Sequence, residues 1–482
     1  MENKKAILVV SLLLIVLTLV TSYYGSSDIG DYADVAKFFS NNYQAKIRSS
    51  HSYLLGFVHA PFVDLTKSFL SFKITSLIFL FLLIYSLYII SGRNKKTLLL
   101  ALVSPVIWYM APWINPIQIA SLLLLWAYYF MDKYDSQNKT KDLIYSALLI
   151  GLGWAFWDTI LYFGVLLAIS FLYNKKVSHL FYYFIFIFLG LFPRLILDQI
   201  LFNFAFYTSI KTFISGYVNL AGGIYGSSFG HTPKTLFTIL PWLLAIPFMF
   251  WPLLKKEFFK ENKKVMIFLT LSLLLLLNNP QIRYLLAIVP IMLLLINKNL
   301  NEKAIKIQFI SSIVIAFIFI IPYIIQIGYN INGQIYGSEI GGIVETKRFE
   351  ISSSIPKNLI KEDLQKLSKD FSNEIFVVGN KPDDYQILAD VYWGSEIMEF
   401  VSLQDYDLWK KNESIIFHKK FQPELNIPER RQIWLEGGIK KNEDDKTSYE
   451  RITYALSIGE PSNIEGFNIV KKYNLLYLSK KI

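Results

Sequence analysis

Once the acidic residues in the lysine-rich connections are set aside, the first 327 residues keep six carboxylates: Asp28, Asp31, Asp34, Asp64, Asp158 and Asp198. A carboxylate held within hydrogen-bond reach of a hydroxyl can take its proton as that oxygen attacks, so any base of this type is among the six. Three of them share one stretch, Asp28-Ile-Gly-Asp31-Tyr-Ala-Asp34, after Ser26-Ser27 and ahead of a helix-like run, Tyr32–Phe39. Acidic residues at a helix start also complement its dipole, so a capping reading stands beside the catalytic one. The complementary charge is Arg283, in Asn279-Pro-Gln-Ile-Arg283-Tyr284. A guanidinium grips phosphate through two parallel hydrogen bonds, and an arginine snorkelling to a membrane surface is the alternative.

Other candidates cluster by segment. Arg48, His51, Tyr53, His59 and Asp64 lie together in residues 25–72 around Tyr53-Leu-Leu-Gly-Phe-Val-His-Ala-Pro-Phe62. Asp158 ends Gly153-Trp-Ala-Phe-Trp-Asp158, where the indoles suit either a sugar pocket or the aromatic belt of a membrane interface. Arg194 and Asp198 stand four apart, the spacing of a self-neutralising pair on one helix face, although ionisable residues at membrane depth are functional suspects by default. Residues 204–235 bring Lys211, His231, Lys234 and the Gly-rich Ala221–Gly226.

These groups must be positioned by a mostly apolar chain. The 482 residues are 53% hydrophobic and 18% charged, with 38 Phe and 30 Tyr. That composition excludes a soluble enzyme, a nucleic-acid binder and a disordered chain. Cys is absent, which removes disulfides, iron–sulfur clusters, thiolate zinc and a cysteine nucleophile together. Eleven apolar runs approach the ~20 residues that cross a bilayer, near 6–24, 73–91, 97–112, 116–131, 143–157, 159–173, 180–203, 236–254, 265–277, 285–297 and 307–327. The expected fold is a polytopic α-helical membrane protein with about eleven transmembrane helices.

Charge orients it. One alternate set of connections holds 18 Lys and Arg and the other eight, so the positive-inside rule puts the N-terminus in the cytoplasm. Residues 328–482 then lie outside, as a C-terminal extracytoplasmic α/β domain after a membrane domain of residues 1–327. The net charge of +11 is thus topogenic, since the tail carries 21 basic and 24 acidic residues. Within the tail, Glu374–Gly379 and Ser414–His418 read as strands and Asp383–Trp393 as an amphipathic helix.

An Asp just past the first span, a Tyr-Ala-x-x-Ala helix and an aromatic-Pro interfacial helix together resemble the first external loop of GT-C glycosyltransferases. Protein O-mannosyltransferases, dolichyl-phosphate-mannose mannosyltransferases and lipid A aminoarabinose transferase share that plan. Arg283-Tyr284-Leu-Leu-Ala-Ile-Val-Pro290 is similar to a second family segment, with Ala287 in place of a Pro. The resemblance implies Asp28 or Asp31 as catalytic base; Ile29 breaks the family's Asp-Glu pair and leaves the choice open. It implies Arg283, Tyr284, His51, Arg48, Asp158, Lys211 and His231 as substrate-binding candidates. The donor would be a sugar, mannose among the options, on a polyprenyl or dolichyl phosphate, and the acceptor an extracytoplasmic glycan, lipid or protein. No cofactor is required, and a divalent metal is left open. A transporter or flippase of lipid-linked sugars is the alternative, with a surface-polysaccharide polymerase or ligase third. Richness in Ile, Lys, Asn and Tyr suggests an archaeal or bacterial cell membrane.

Overall fold

The computed structural model describes residues 2–21, 32, 35–36, 39–40, 52–66, 69–202, 204–210, 212, 236–331, 357–371, 374–380, 384, 388, 399–410 and 451–482. The apolar runs form a helical bundle. Helices α1 (Glu2–Val20), α2 (Leu54–Thr66) and α3 (Phe69–Ile90) precede α4 (Lys95–Leu102), α5 (Pro105–Met110) and α6 (Ile117–Gln137). Then come α7 (Thr140–Phe156), α8 (Ile160–Leu172), α9 (Val177–Gly190), α10 (Phe192–Phe202) and α11 (Leu236–Ala245). The bundle closes with α12 (Lys256–Glu261), α13 (Lys263–Leu277), α14 (Val289–Asn299) and α15 (Glu302–Ile331). Exposed Leu, Ile and Phe side chains cover α1, α9 and α15, the surface of a protein seated in lipid.

Several runs expected as single spans are broken, and each break has a cause in the sequence. The 97–112 run splits into α4 and α5 ahead of Pro105, which opens the second helix. The 180–203 run bends by 43° between α9 and α10, where Gly190 ends one helix and Pro193 stands in the first turn of the next. The 236–254 run passes through Pro247 into a 3-10 turn, Phe248–Leu254, and the 285–297 run begins as a 3-10 turn, Ile282–Ala287, before α14. Among the described residues two helices, Leu70–Ile90 and Glu302–Ile321, are long and apolar enough by themselves to cross a membrane, and the bent pair makes a third when it is counted as one span.

Glycine sets the crossing of α7 and α9. A Cβ on Gly151 would run into the Ile187 carbonyl oxygen, and one on Gly190 would lie 2.9 Å from Gly151 Cα. Only two glycines allow α7 and α9 to approach backbone to backbone. That crossing seats the start of α10 beside the end of α7. Near α1, Lys73 is buried and donates its ammonium to the carbonyls of Thr18 (3.0 Å) and Thr21. It satisfies acceptors that the end of a helix leaves over.

The C-terminal residues form an α/β unit: α16 (Lys357–Asp370), β1 (Ile375–Val378), β2 (Glu399–Ser402), α17 (Leu403–Lys410), β3 (Tyr454–Ile458), β4 (Phe467–Lys472) and β5 (Leu476–Lys481). The sheet order is β2-β1-β3-β5-β4, parallel across β2, β1 and β3 and antiparallel beyond. The strand expected at Glu374–Gly379 is β1; Ser414–His418 lies outside the described residues. Asp363 of α16 is fully buried and accepts from Asn474 N (3.2 Å), Leu475 N (2.7 Å) and Leu476 N (3.1 Å), which fixes α16 to the β4–β5 turn.

Candidate functional site

The bundle has two ends. One carries the starts of α7 and α13 with their lysines. At the other, α7 gives way to α8 through an extended Trp157 and the turn Asp158-Thr159. At that second end Arg194 of α10 donates to Asp158: Nη1 lies 2.7 Å from Oδ1 and Nη2 lies 3.4 Å from Oδ2. Trp154 Nε1 reaches the same Oδ1 at 3.2 Å, and Arg194 Nη1 also reaches the Trp154 carbonyl at 3.2 Å. Its Nε donates to Thr208 Oγ1 at 2.9 Å. Thr208 in turn donates to Asp198, from its backbone N–H (2.9 Å to Oδ2) and its hydroxyl (2.7 Å to Oδ2).

This arrangement corrects the sequence reading. Arg194 and Asp198 are not a self-contained i,i+4 pair; the guanidinium grips Asp158, 36 residues away, and meets Asp198 through a threonine hydroxyl. One guanidinium stands between two carboxylates, bonded directly to Asp158 and through Thr208 to Asp198. Arg194, Asp198 and Thr208 are fully buried, whereas the Asp158 side chain keeps 23% exposure. Asp158 is therefore the carboxylate of the cluster that is open to solvent.

Arg283 is 7% exposed, too buried for the snorkelling alternative. It lies in the 3-10 turn Ile282–Ala287, donates from Nε to Gln281 Oε1 at 2.6 Å, and sits over the rings of Trp113 (5.5 Å) and Tyr284 (5.2 Å). Trp113 is held by Nε1 donating to Tyr323 OH at 2.9 Å, and Tyr323 OH donates to the Tyr109 carbonyl at 2.6 Å. Tyr284 stacks on Trp157, with centroids 5.6 Å apart and planes at 29°. An unbroken series of rings thus leads from Arg283 to the residue beside Asp158.

The first loop arrives at the same end. Tyr32, Val35, Ala36 and Phe39 are helical and stand at i, i+3, i+4 and i+7, the spacing of one helix face. Tyr32 packs with Leu54, Leu55, Ala155 and Phe156, immediately before Trp157 and Asp158. Ser52 Oγ donates to the Ala155 carbonyl at 2.5 Å. Gly56 meets Val35 so closely that a Cβ there would overlap its side chain. Asp28, Asp31, Asp34, Arg48, His51, Lys211, His231 and Lys234 lie outside the described residues. Structure thus brings together Asp158, Arg283 and Tyr284 from the candidates, with packed neighbours of the Asp28–Asp34 stretch beside them.

His59 is buried on α2 against Phe72, with centroids 4.5 Å apart. Neither ring nitrogen has a hydrogen-bond partner among the described residues. Burial pushes its pKa down to about 3, so at neutral pH it is an uncharged core ring rather than a proton carrier. Thr208, Trp113 and Gln281 went unmarked in the sequence. Thr208 and Trp113 carry no signal of their own, while Gln281 could have been found as a polar group two residues before Arg283. Among the described residues no group of three or more His, Asp or Glu could hold a metal ion.

No family model matches the chain, and no curated protein sequence matches it. Solved structures do. ArnT from Cupriavidus metallidurans bound to undecaprenyl phosphate superposes with a TM-score of 0.55 at 10% identity, covering 99% of this chain and 97% of that one. The apo state of the same protein gives 0.54 at 10% identity with the same coverage. The fold of that protein is shared along nearly the whole length of both chains.

Proposed function

We propose that this chain is a GT-C membrane glycosyltransferase that moves a sugar from a polyprenyl-phosphate carrier to an acceptor at the extracytoplasmic face. The observation that carries the reading is the convergence at one bundle end of Tyr32, Asp158 and the Arg283–Tyr284–Trp157 series. The similar ArnT structure holds undecaprenyl phosphate, the same class of carrier. In this reading the N-terminus and the lysine end are cytoplasmic, and the C-terminal α/β unit lies outside.

The chemistry follows from what such a transfer needs. Asp28 or Asp31 accepts the acceptor hydroxyl proton as that oxygen attacks C1 of the sugar. The bond from C1 to the phosphate oxygen breaks on the opposite face, and the configuration inverts. Arg283 offsets the charge that grows on the departing phosphate, with Lys211, His231, His51 and Arg48 as further contacts. Asp158 accepts hydrogen bonds from sugar hydroxyls beside the Trp157 and Tyr284 rings.

Transfer from a polyprenyl-phosphate sugar by purified protein in nanodiscs tests this. We expect Asp28→Asn or Asp31→Asn to lower kcat by about 100-fold or more, within the range of a general base. Full activity in both variants would remove the base assignment. A second reading, a lipid-linked sugar transporter, is favoured by one observation: a bent helix pair with buried Arg194 and Asp198 is the form transporters give their binding sites. Translocation in liposomes without any transfer product would select it.

A further inference from the structure

Helix α10 has three neighbours that the transfer chemistry leaves unexplained. At ~100° per residue, Arg194, Leu197, Asp198 and Leu201 fall on one stripe about 100° wide. Ile196, Ile200 and Phe192 are exposed on the opposite face. The buried stripe is divided lengthwise. Arg194 and Asp198 enter the polar cluster at Asp158. Leu197 and Leu201 join one continuous apolar cluster with Ile360, Leu364 and Leu367 of α16, Phe376 and Val378 of β1, and Val35, Phe39 and Tyr53 of the first loop.

The core of the C-terminal unit therefore runs without interruption into α10 and into the loop that carries Asp28 and Asp31. We propose that the C-terminal α/β unit is a positioning element for the candidate site, acting through α10 to hold Arg194 against Asp158. The physical argument is the rigidity of a helix. Leu201 is ~10 Å along the axis from Arg194, and no flexible joint separates them. A shift of the apolar contact at Leu197 and Leu201 is carried into the guanidinium, whose hydrogen bonds to Asp158, Thr208 and the Trp154 carbonyl have fixed directions. Thr208 gives the cluster a second handle, because its hydroxyl lies between Arg194 Nε and Asp198. Leu197, Leu201 and Thr208 are positioning residues in this scheme, since none is required to touch substrate. The inference rests on the glycosyltransferase reading for its kinetic consequence, but not for its structural one.

The test uses the full chain in nanodiscs, with the double variant Leu197→Ala/Leu201→Ala and the separate variants Thr208→Val and Thr208→Ser. Hydrogen exchange is followed in the peptides covering α16, α10 and the Trp154–Tyr162 turn, together with α13 as an internal control. We expect the double variant to speed exchange in α16 and in the Trp154–Tyr162 turn while α13 keeps its protection. Transfer should fall by ~10- to 100-fold in kcat, the scale of a small misplacement of a positioned group, with KM for the donor little changed. Thr208→Val should behave likewise, and Thr208→Ser, which restores the hydroxyl, should return both readouts toward the wild type. Faster exchange in α16 with an unaltered turn or an unaltered kcat would overturn the proposal, as would loss of protection in α13, which marks general unfolding. If the wild-type chain transfers no sugar, the glycosyltransferase reading fails by itself, and the exchange pattern still decides whether the C-terminal unit and Asp158 are coupled.

Discussion

The two ends of the bundle both hold ion pairs, and they use them differently. At the lysine end Asp135 meets both Lys264 and Lys175, Lys133 meets Asp142 at 3.9 Å, and Lys96 meets Glu302 at 2.5 Å. Most of these partners are partly or largely exposed, and Asp135 serves two lysines at once. Lysine suits that role as a compact, hydrated charge on a flexible stem. At the other end a single fully buried arginine is tied by directional bonds to Asp158, Thr208 and a backbone carbonyl. Exchangeable contacts suit the topogenic role proposed for the lysine end, where the sum of charge matters. Fixed contacts suit the proposed site, where the position of one carboxylate matters.

Removing the key cation at each end should separate these roles most sharply. Arg194→Ala strands two carboxylates and a threonine hydroxyl around a buried gap, and breaking such a network costs about 3–5 kcal/mol. We expect a large drop in the melting temperature of the purified protein, and no rescue by Arg194→Lys, because an ammonium cannot span Thr208 and both oxygens of Asp158. Lys264→Ala should stay within about 1 kcal/mol of the wild type, since its partner keeps Lys175. Equal losses at the two ends would remove the distinction.

The same contrast explains how much could be read from the amino-acid sequence. Asp158, Arg283 and Tyr284 were legible because unusual residue types stand at the edges of apolar runs. The partner of Arg194 was not legible. The i,i+4 spacing to Asp198 is a local signal, whereas the contact with Asp158 depends on how α7 and α9 cross. That crossing rests on Gly151 and Gly190, glycines inside apolar runs, a mark of close approach that acquires meaning only when the two are paired. The helix breaks were written in Pro105, Pro193 and Pro247, yet hydropathy averages over them. The helical character of Tyr32, Val35, Ala36 and Phe39 was readable in the sequence, but the seat of Tyr32 against Ala155 and Phe156 is a long-range contact.

Glycine substitutions give a finer test. At Gly190 the smallest side chain would meet the Leu148 carbonyl and the Gly151 backbone, so Gly190→Ala must push α9 from α7. We expect a loss of about 1–3 kcal/mol, with transfer lost in parallel as Arg194 moves off Asp158. Gly92, at the lysine end, has φ +71° and open space around it. Gly92→Ala meets only the left-handed backbone penalty, about 1 kcal/mol, and should leave transfer unchanged. If Gly92→Ala impaired transfer as much as Gly190→Ala, the site would depend on the whole bundle rather than on this one crossing.

A last contrast concerns two histidines, one at each end. His179, at the lysine end, shares a 2.5 Å hydrogen bond with Tyr134 OH. His59, beside Phe72, has no such partner among the described residues, and its pKa is lowered by burial from 6.5 to about 3. A group whose pKa is depressed on folding binds its proton more readily in the opened form. The seat of α2 is therefore fully stable above pH 6.5 and weakens as the pH falls from there toward 3. Between pH 8 and pH 5 the opened population should rise roughly 30-fold. It is measured by hydrogen exchange of the Leu54–Thr66 amides after correction for intrinsic rates. His59→Leu keeps the apolar contact with Phe72 and removes the titrating ring, so its exchange should be flat across that range. A wild-type pH response that persisted in His59→Leu would transfer the effect to another group and leave His59 a silent part of the core.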